Sequence, residues 1–525
     1  MRALFDFTRA MRANTIRKAG KHMGIEYKKL QNGSDIRGVA MEGIEGQPVT
    51  LSAEAVMNIA KAFVLFLQER TGKSELRLSI GRDSRLSGEK LLKAAATGIL
   101  AMGADLAEFG LASTPSMFMS TVTKGYEYDG AIMLTASHLP WNRNGMKFFT
   151  KNGGLEKSDI AAILASAEAD AFIPAVERGK LETVDFLSVY AAGLVERIRS
   201  GVNAADYEHP LKGFHIVVDA GNGAGGFYAK KVLLPLGADT TGSQYLEPDG
   251  HFPNHQPNPE DKAAMDSIAQ CVLTNKADMG IIFDTDVDRA GAVAGDGKEL
   301  NRNRLIALIS AVLLEEYPGT TIVTDSITSS GLAAFIAEKG GVHHRFKRGY
   351  KNVIDESIRI NKSGRDSQLA IETSGHGALK ENYFLDDGAY LITKLLIKMA
   401  QLKAENRTLF SLIDSLAEPA ESVEVRMNIL IPEFAPYGSA VLKDLAAYAA
   451  KVNWDVAKEN YEGLRVSFGA GEGDGWFLLR MSLHDPLMPL NIESNSVGGV
   501  HQIAEKLYAF LSGYDKLETS GLKGL

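Results

Sequence analysis

One serine, Ser137, stands where an apolar run gives way to small polar residues. Ala131 to Leu134 has the length and type of a buried strand, and Thr135-Ala136-Ser137-His138 follows at once. Pro140, Asn144, Gly145 and Lys147 come next: a rigid turn residue, a flexible glycine and a cation within reach of the hydroxyl. A lone serine at a strand end is ordinarily part of a turn, but here its hydroxyl can also carry a phosphoryl group. A second segment, Asp284-Thr285-Asp286-Val287-Asp288-Arg289, has carboxylates at alternate positions. In an irregular loop that spacing turns them toward one centre and supplies hard oxygen ligands suited to Mg2+. A helix-loop-helix calcium site would need glycine and glutamate where this chain has Arg289 and Gly295. In a third segment, Glu372-Thr373-Ser374-Gly375-His376, an acceptor, two hydroxyls and a titratable ring share a glycine-permitted turn, a set that suits sugar hydroxyls. Arg348-Gly349-Tyr350-Lys351 adds cations at another turn. Arg480-Met481-Ser482 follows the apolar Trp476 to Leu479 run, as phosphate recognition requires.

Each of these segments needs an element to present it, and the chain repeats one three times in outline. Apolar runs ending in aspartate occur at Leu76 to Asp83, Phe214 to Asp219 and Thr320 to Asp325. A helical stretch follows each and closes on a glycine, at Gly103, Gly237 and Gly340, before another short strand. Later in each unit a further apolar strand, beginning near Ala131, Met279 and Gln368, runs into one of the three polar loops. In α/β sheets ligands collect outside the carboxyl ends of strands, so three units facing one cleft can each supply a loop to a shared site.

Composition bounds the class. At 525 residues, 45% hydrophobic and 23% charged, the chain is ordinary globular protein of several domains. The single cysteine, Cys271, excludes a disulfide framework and a cysteine-based zinc cluster. A net charge of −8 argues against general nucleic-acid binding. No apolar run approaches the ~18 residues of a membrane span. The first thirty residues carry eight basic residues and no serine, and Leu4, Phe5, Phe7, Ala10, Met11 and Ile16 can form one apolar helix face. The expectation is a first helix and a cytoplasmic protein; the other reading of the basic N-terminus is the remnant of an organellar presequence.

With these segments in order, the chain resembles the α-D-phosphohexomutases, the phosphomannomutase, phosphoglucomutase and phosphoglucosamine mutase superfamily. Gly33 to Gly38 is similar to the family's T-S-G-I-R-G loop, and Gly81-Arg82-Asp83-Ser84-Arg85 to its G-R-D-x-R motif. Thr135 to His138 resembles the active-site serine loop, with N-G-x-K at the family spacing. Asp284 to Arg289 resembles the D-G-D-x-D-R metal loop, with Thr285 in place of glycine, and Glu372 to His376 the bacterial-type E-x-S-G-H sugar loop. The resemblance implies three related α/β/α domains with mixed sheets and a smaller C-terminal α+β domain, here bounded at 1–205, 206–312, 313–422 and 423–525. It implies a monomer or homodimer acting on a small sugar phosphate, with Mg2+ held by Ser137, Asp284, Asp286 and Asp288. Ser137 would be a phosphoserine and a hexose bisphosphate the intermediate and activator. Arg37 and Lys147 would flank the phosphoserine, and Lys147 or His376 would handle the hydroxyl proton. Substrate would be held by Arg289, Gly349, Lys351, Glu372, Ser374, His376, Arg480, Ser482 and His484.

The chain departs from the family pattern at Leu139, usually asparagine, and at Phe346, often threonine. The final phosphate loop, R-P-S-G-T-E-P in the family, reads Arg480-Met481-Ser482-Leu483-His484-Asp485-Pro486 here. Two other functions fit parts of the pattern. A non-catalytic sugar-phosphate-binding regulatory protein would have kept the fold and lost the last loop. A haloacid-dehalogenase-type phosphatase would use Asp284 as its nucleophile.

Overall fold

The structure is a computed structural model that describes residues 25–482 and 485–525. The expected N-terminal helix, together with Leu483 and His484, falls outside the described residues. Four β-sheets organise the rest. The first is mixed, in the order Gln31–Asn32, Asp35–Val39, Arg143–Thr150, Gly130–Leu134, Arg77–Arg82, Asp105–Leu111 and Leu181–Thr183, with Gly153–Gly154 paired on Arg143–Thr150. The second places Met279–Phe283 between Ala290–Ala294 and Ile216–Asp219. In the third, Val342–Arg345, Thr321–Thr324, Ser367–Ile371, Gly377–Leu379 and Leu385–Asp386 lie side by side. The fourth is antiparallel throughout, in the order Glu421–Asn428, Leu487–Ser494, Gly475–Leu479, Leu464–Phe468, Asp455–Val456. Two helices, Phe434–Lys451 and Gly499–Leu511, contribute apolar residues to its core.

In the strand Gly130–Leu134 successive side chains leave opposite faces. Ile132 and Leu134 join one apolar cluster, and Ala131 and Met133 another. Burial on both faces is the reason this strand reads as an unbroken apolar run. The first cluster is covered by the helix Ala53–Thr71, capped by the Ser52 hydroxyl, which accepts from the Ala55 amide, and ended by Gly72 at φ +71°. Its buried Val56, Ile59, Phe63 and Leu67 recur at helical spacing, and the Phe63 ring lies 4.8 Å from that of Phe148. Truncating Phe63 to alanine would cost about 3–5 kcal/mol.

The three mixed sheets share one device. A strand pairs in parallel with a neighbour, passes through a short loop at its carboxyl end, and returns antiparallel. Gly130–Leu134 returns as Arg143–Thr150, Met279–Phe283 as Ala290–Ala294, and Ser367–Ile371 as Gly377–Leu379. The strand–helix–strand expectation holds in the first and third units. In the second, a wide helical turn, Tyr228–Leu233, and a tighter one, Leu234–Leu236, stand where an α-helix was expected, and Asp239 makes only a single bridge to His215. Pro235 has no N–H to continue an α-helical ladder, and the glycine-rich start of the segment holds few helix formers.

Candidate functional site

The three loops meet. The Ala290 amide donates to the Gly375 carbonyl at 3.3 Å, and Arg289 bridges to His376, so the sugar-type loop is pinned to the aspartate hairpin. At Gly375, φ +94°, a Cβ would come within 2.6 Å of the Ala290 carbonyl, so the contact requires glycine. Each loop turns through one left-handed residue, Ser137 (φ +51°), Val287 (φ +67°) or Gly375. For the β-branched Val287 such a conformation costs on the order of 1–3 kcal/mol, which the packing around it must hold in place.

Ser137 is buried, and its hydroxyl is the point of convergence. It donates to Asp284 Oδ2 at 2.9 Å and accepts from Arg289 Nη2 at 2.8 Å, while His138 Nδ1 lies 3.3 Å away. Burial, then the Arg289 and Arg37 charges, push the His138 imidazole down to about 2, so it remains neutral beside the guanidinium. The loop is held from below. The Ser137 amide donates to Thr135 Oγ1 at 2.9 Å, and that hydroxyl donates to Asp83 Oδ2 at 2.7 Å. Arg85, fully buried, pairs with Asp83 and donates to the carbonyls of Ser137, Leu139 (2.6 Å), Pro140 (2.7 Å) and Arg143 (3.0 Å). Sequence reading singled out the G-R-D-x-R motif without seeing that its second arginine clamps the serine loop.

Lys147 and Arg37 come from adjacent strands. The register opposes Arg37 to Gly145, where a Cβ would lie 2.3 Å from the Ile36 carbonyl. Lys147 Nζ lies 2.9 Å from Asp286 Oδ2 and 2.5 Å from Asp288 Oδ2. Burial works against its charge, but the two carboxylates prevail and raise it well above the ordinary lysine range. An ammonium so held is a poor proton acceptor. Arg37 pairs with Asp35 at 3.2 Å, and its buried Nε has no partner.

The residues of the aspartate loop fit a divalent cation. Asp284, Asp286 and Asp288 each bring an oxygen within 4.8 Å of the others, and all three are buried. The Oδ1 atoms of Asp286 and Asp288 are buried without a hydrogen-bond partner, as free ligand atoms would be. Burial, then the charges of Asp288 and Asp286, push Asp284 well above the carboxylate range. Burial also opposes ionisation of Asp288, yet Lys147, His376 and Arg289 hold it low. Thr114, which sequence reading missed, braces the loop: its hydroxyl donates to Asp286 Oδ2 and its amide to the Asp286 carbonyl, the latter at 2.8 Å.

In the third loop Glu372 Oε1 accepts from the Gly349 amide at 2.6 Å, and Ser374 Oγ lies 2.9 Å from His376 Nδ1. Burial and Arg289 work against the charged imidazole, but Glu372 and Asp288 outweigh them and raise His376 above its ordinary range. Tyr350, which the sequence shows only as a member of the Arg348 to Lys351 turn, places its ring 5.5 Å from His376 and its hydroxyl 2.9 Å from Ser34 Oγ, joining the helix Tyr350–Lys362 to the turn between the first two strands. A cavity of about 360 Å3 opens here, with Lys147, Asp288, Tyr350 and Asp386 in its lining. Lys351 also lines this cavity, but its amine is committed to Glu156 at 2.7 Å and Asp355 at 3.2 Å. Arg480 is buried at the end of Gly475–Leu479, 3.8 Å from Glu462, and the Ser482 amide donates to the Leu487 carbonyl at 3.0 Å. A line of alternating charge runs from the serine toward this arginine. Ser137 meets Arg289, which lies 3.6 Å from Glu260; Glu260 lies 3.0 Å from Arg348, whose amide meets Glu462.

A buried serine among arginine, lysine and a carboxylate cation site, set on three α/β/α layers, defines a phosphomutase of the α-D-phosphohexomutase superfamily. The chain belongs to the phosphoglucomutase/phosphomannomutase family. Models of that family's alpha/beta/alpha domains I, II and III match residues 28–173, 190–297 and 301–419. The chain is 30% identical over 475 residues to a phosphoglucomutase of Neisseria gonorrhoeae, covering 90% of this chain and 95% of the relative. It is 30% identical over 463 residues to a phosphomannomutase/phosphoglucomutase of Pseudomonas aeruginosa, covering 88% and 91%. Its fold is similar to the crystal structure of a phosphoglucomutase/phosphomannomutase family protein from Burkholderia thailandensis, with TM-score 0.76, 27% identity, and 93% and 97% of the two chains covered. Both the phosphatase and the regulatory-protein readings give way to the mutase. Among the described residues no helix is long and apolar enough to cross a membrane.

Proposed function

We propose that this chain interconverts hexose 6-phosphates and hexose 1-phosphates, those of glucose and mannose foremost, through phosphorylated Ser137 and a bisphosphosugar. The observation that carries the mechanism is the Ser137 hydroxyl, held 2.9 Å from Asp284 and 2.8 Å from Arg289 at the meeting of three loops. In the forward half-reaction the Oγ–P bond breaks and a bond forms from phosphorus to the free sugar hydroxyl. That hydroxyl's proton passes to a nearby base, for which the neutral form of His376 is better suited than Lys147, because Glu372 and Asp288 raise the imidazole while two carboxylates hold the lysine charged well above its ordinary range. After the bisphosphate turns round in the cleft, its other phosphate returns to Ser137. Asp284, Asp286 and Asp288 would hold Mg2+, which when bound supplies Lewis-acid stabilisation of charge on the phosphoryl oxygens. Arg289, Lys147 and Arg37 orient and neutralise the same group, because positioning and electrostatics supply most of the catalysis in phosphoryl transfer. Glu372 and Ser374 face the sugar, and Arg480, with Ser482 and His484, anchors the phosphate that is not reacting.

The test is intact-mass analysis of purified protein together with a coupled mutase assay on glucose and mannose phosphates primed with bisphosphate. A fraction of the protein should be about 80 Da heavier, the mass of one phosphoryl group, with the modification at Ser137, and Ser137→Ala should lose turnover. Retention of wild-type turnover by that variant would sink the mechanism.

A further inference from the structure

The anion seat beside Arg480 holds a carboxylate of the chain itself. The antiparallel register Leu464 to Leu479 sets the residues ahead of Leu464–Phe468 against the end of Gly475–Leu479. Gly463, at φ +62°, makes the approach possible: a Cβ there would lie 2.1 Å from the Leu479 carbonyl and 2.8 Å from Arg480. Glu462 consequently lies beside Arg480, Oε1 3.8 Å from Nη1. Its Oε2 accepts from Ser326 Oγ at 2.6 Å and from the Arg348 amide at 3.0 Å. The next amide, Gly349, donates to Glu372, and both precede the helix Tyr350–Lys362, whose N-terminus favours negative charge. Arg480 is only 8% exposed, and its buried Nε has no partner. A hydroxyl, a backbone amide and a buried guanidinium thus converge on one anionic group, the set of donors that binds a phosphate ester.

We propose that Glu462 is an internal competitor for the non-reacting phosphate of the substrate and sets the affinity and selectivity of this seat. The proposal rests on the reading of Arg480 as the phosphate anchor. Glu462 is the acidic group paired most closely with the buried Arg480 guanidinium, ahead of Glu424 and Asp325, and substrate binding exchanges one anion for another. A phosphate of charge about −1.5 to −2, with three acceptor oxygens, displaces a carboxylate. An uncharged hexose, or one bearing only a carboxylate, does not.

Steady-state kinetics on glucose 1-phosphate, with inorganic phosphate as the probe of the seat, test this. For Glu462→Gln, KM should fall about 5- to 10-fold and inorganic phosphate should inhibit better by a similar factor, with kcat changed less than about twofold. Glu462→Asp, which keeps the charge but is one methylene short of Ser326 and the Arg348 amide, should give a KM between those of wild type and Glu462→Gln, and a KM below that of Glu462→Gln overturns the role of charge. An unchanged or raised KM in a normally melting Glu462→Gln protein overturns the competition. An unchanged KM in Arg480→Ala instead overturns the anchor reading beneath it. Hydrogen exchange on the wild-type protein gives a measurement independent of any variant: saturating hexose 6-phosphate should raise deuterium uptake in residues 459–463 as Glu462 leaves the seat. Uptake that falls or stays constant overturns the proposal.

Discussion

At the end of the cleft proposed to react, Ser137, Asp284 and His376 stand on loops at the carboxyl ends of strands in three different sheets, and the loops of Asp284 and His376 are hydrogen-bonded to each other. At the anchoring end, Arg480 meets Glu462 from its own sheet, and the partners of Glu462, Ser326 and Arg348, come from the preceding one. Both ends lie between sheets, but the first is closed by many direct contacts, Ser137 to Asp284 and Arg289, Lys147 to Asp286 and Asp288, and Thr114 to Asp286, with Arg85 bracing the serine loop. At the second, Arg480 is linked to the third sheet's loops through Glu462. The proposed chemistry therefore rests on a redundant set of contacts, while affinity rests on a sparser one, where a single carboxylate can alter it.

Damage at the end proposed to react is expected to lower turnover and leave binding largely intact. The largest effect should come from Asp286→Ala, which removes an open ligand oxygen and half of the Lys147 pairing. Turnover should fall by about 10²–10³. Magnesium binding followed by calorimetry should weaken with little change in melting temperature. Activity that persists in excess chelator would make the loop purely structural and dissolve the contrast between the two ends.

A smaller effect is expected from Arg85→Lys, since an ammonium cannot span carbonyls that a guanidinium fork reaches together. Displacing the serine loop by about 1 Å should cost ~10² in kcat with KM nearly constant. If KM rises instead and kcat holds, the loop also shapes the substrate pocket, and the two ends are not separate.

The smallest effect concerns the segment that leans on the serine loop from the second domain, where the Gln256 amide donates to the His138 carbonyl and neighbouring His255 pairs with Asp219 at 2.9 Å. Burial disfavours the charged His255 ring, but Asp219 outweighs burial and raises it above 6.5. Stability from this pair is therefore full below the unfolded value of 6.5 and is lost as pH rises through the higher folded value. Wild type should melt about 1–2 °C above His255→Gln near pH 6, and the gap should narrow as pH rises above 6.5. A gap that widens with pH would mean that the neutral ring is the stabilising form.

What could be read from sequence follows the same division. The serine, aspartate and Glu372 loops were legible because each lies in one contiguous stretch at the end of an apolar run. The role of Arg85 was not, because the carbonyls it holds lie 52 to 58 residues away. Glu462 carried no signal at all, as its donors are 136 and 114 residues distant in the chain. In the second domain the expected helix failed at Pro235, where a glycine-bounded outline outweighed the missing donor.

The Arg85 clamp also bears on how this loop can change over generations. The guanidinium grips the backbone oxygens of residues 137, 139, 140 and 143 and reads none of their side chains. A substitution that preserves the path of the chain therefore leaves the grip unaltered, and at Leu139 the contact is to the carbonyl, at 2.6 Å. The anchorage is made of atoms that every amino acid possesses, so the clamp itself places no demand on side-chain identity at these four positions.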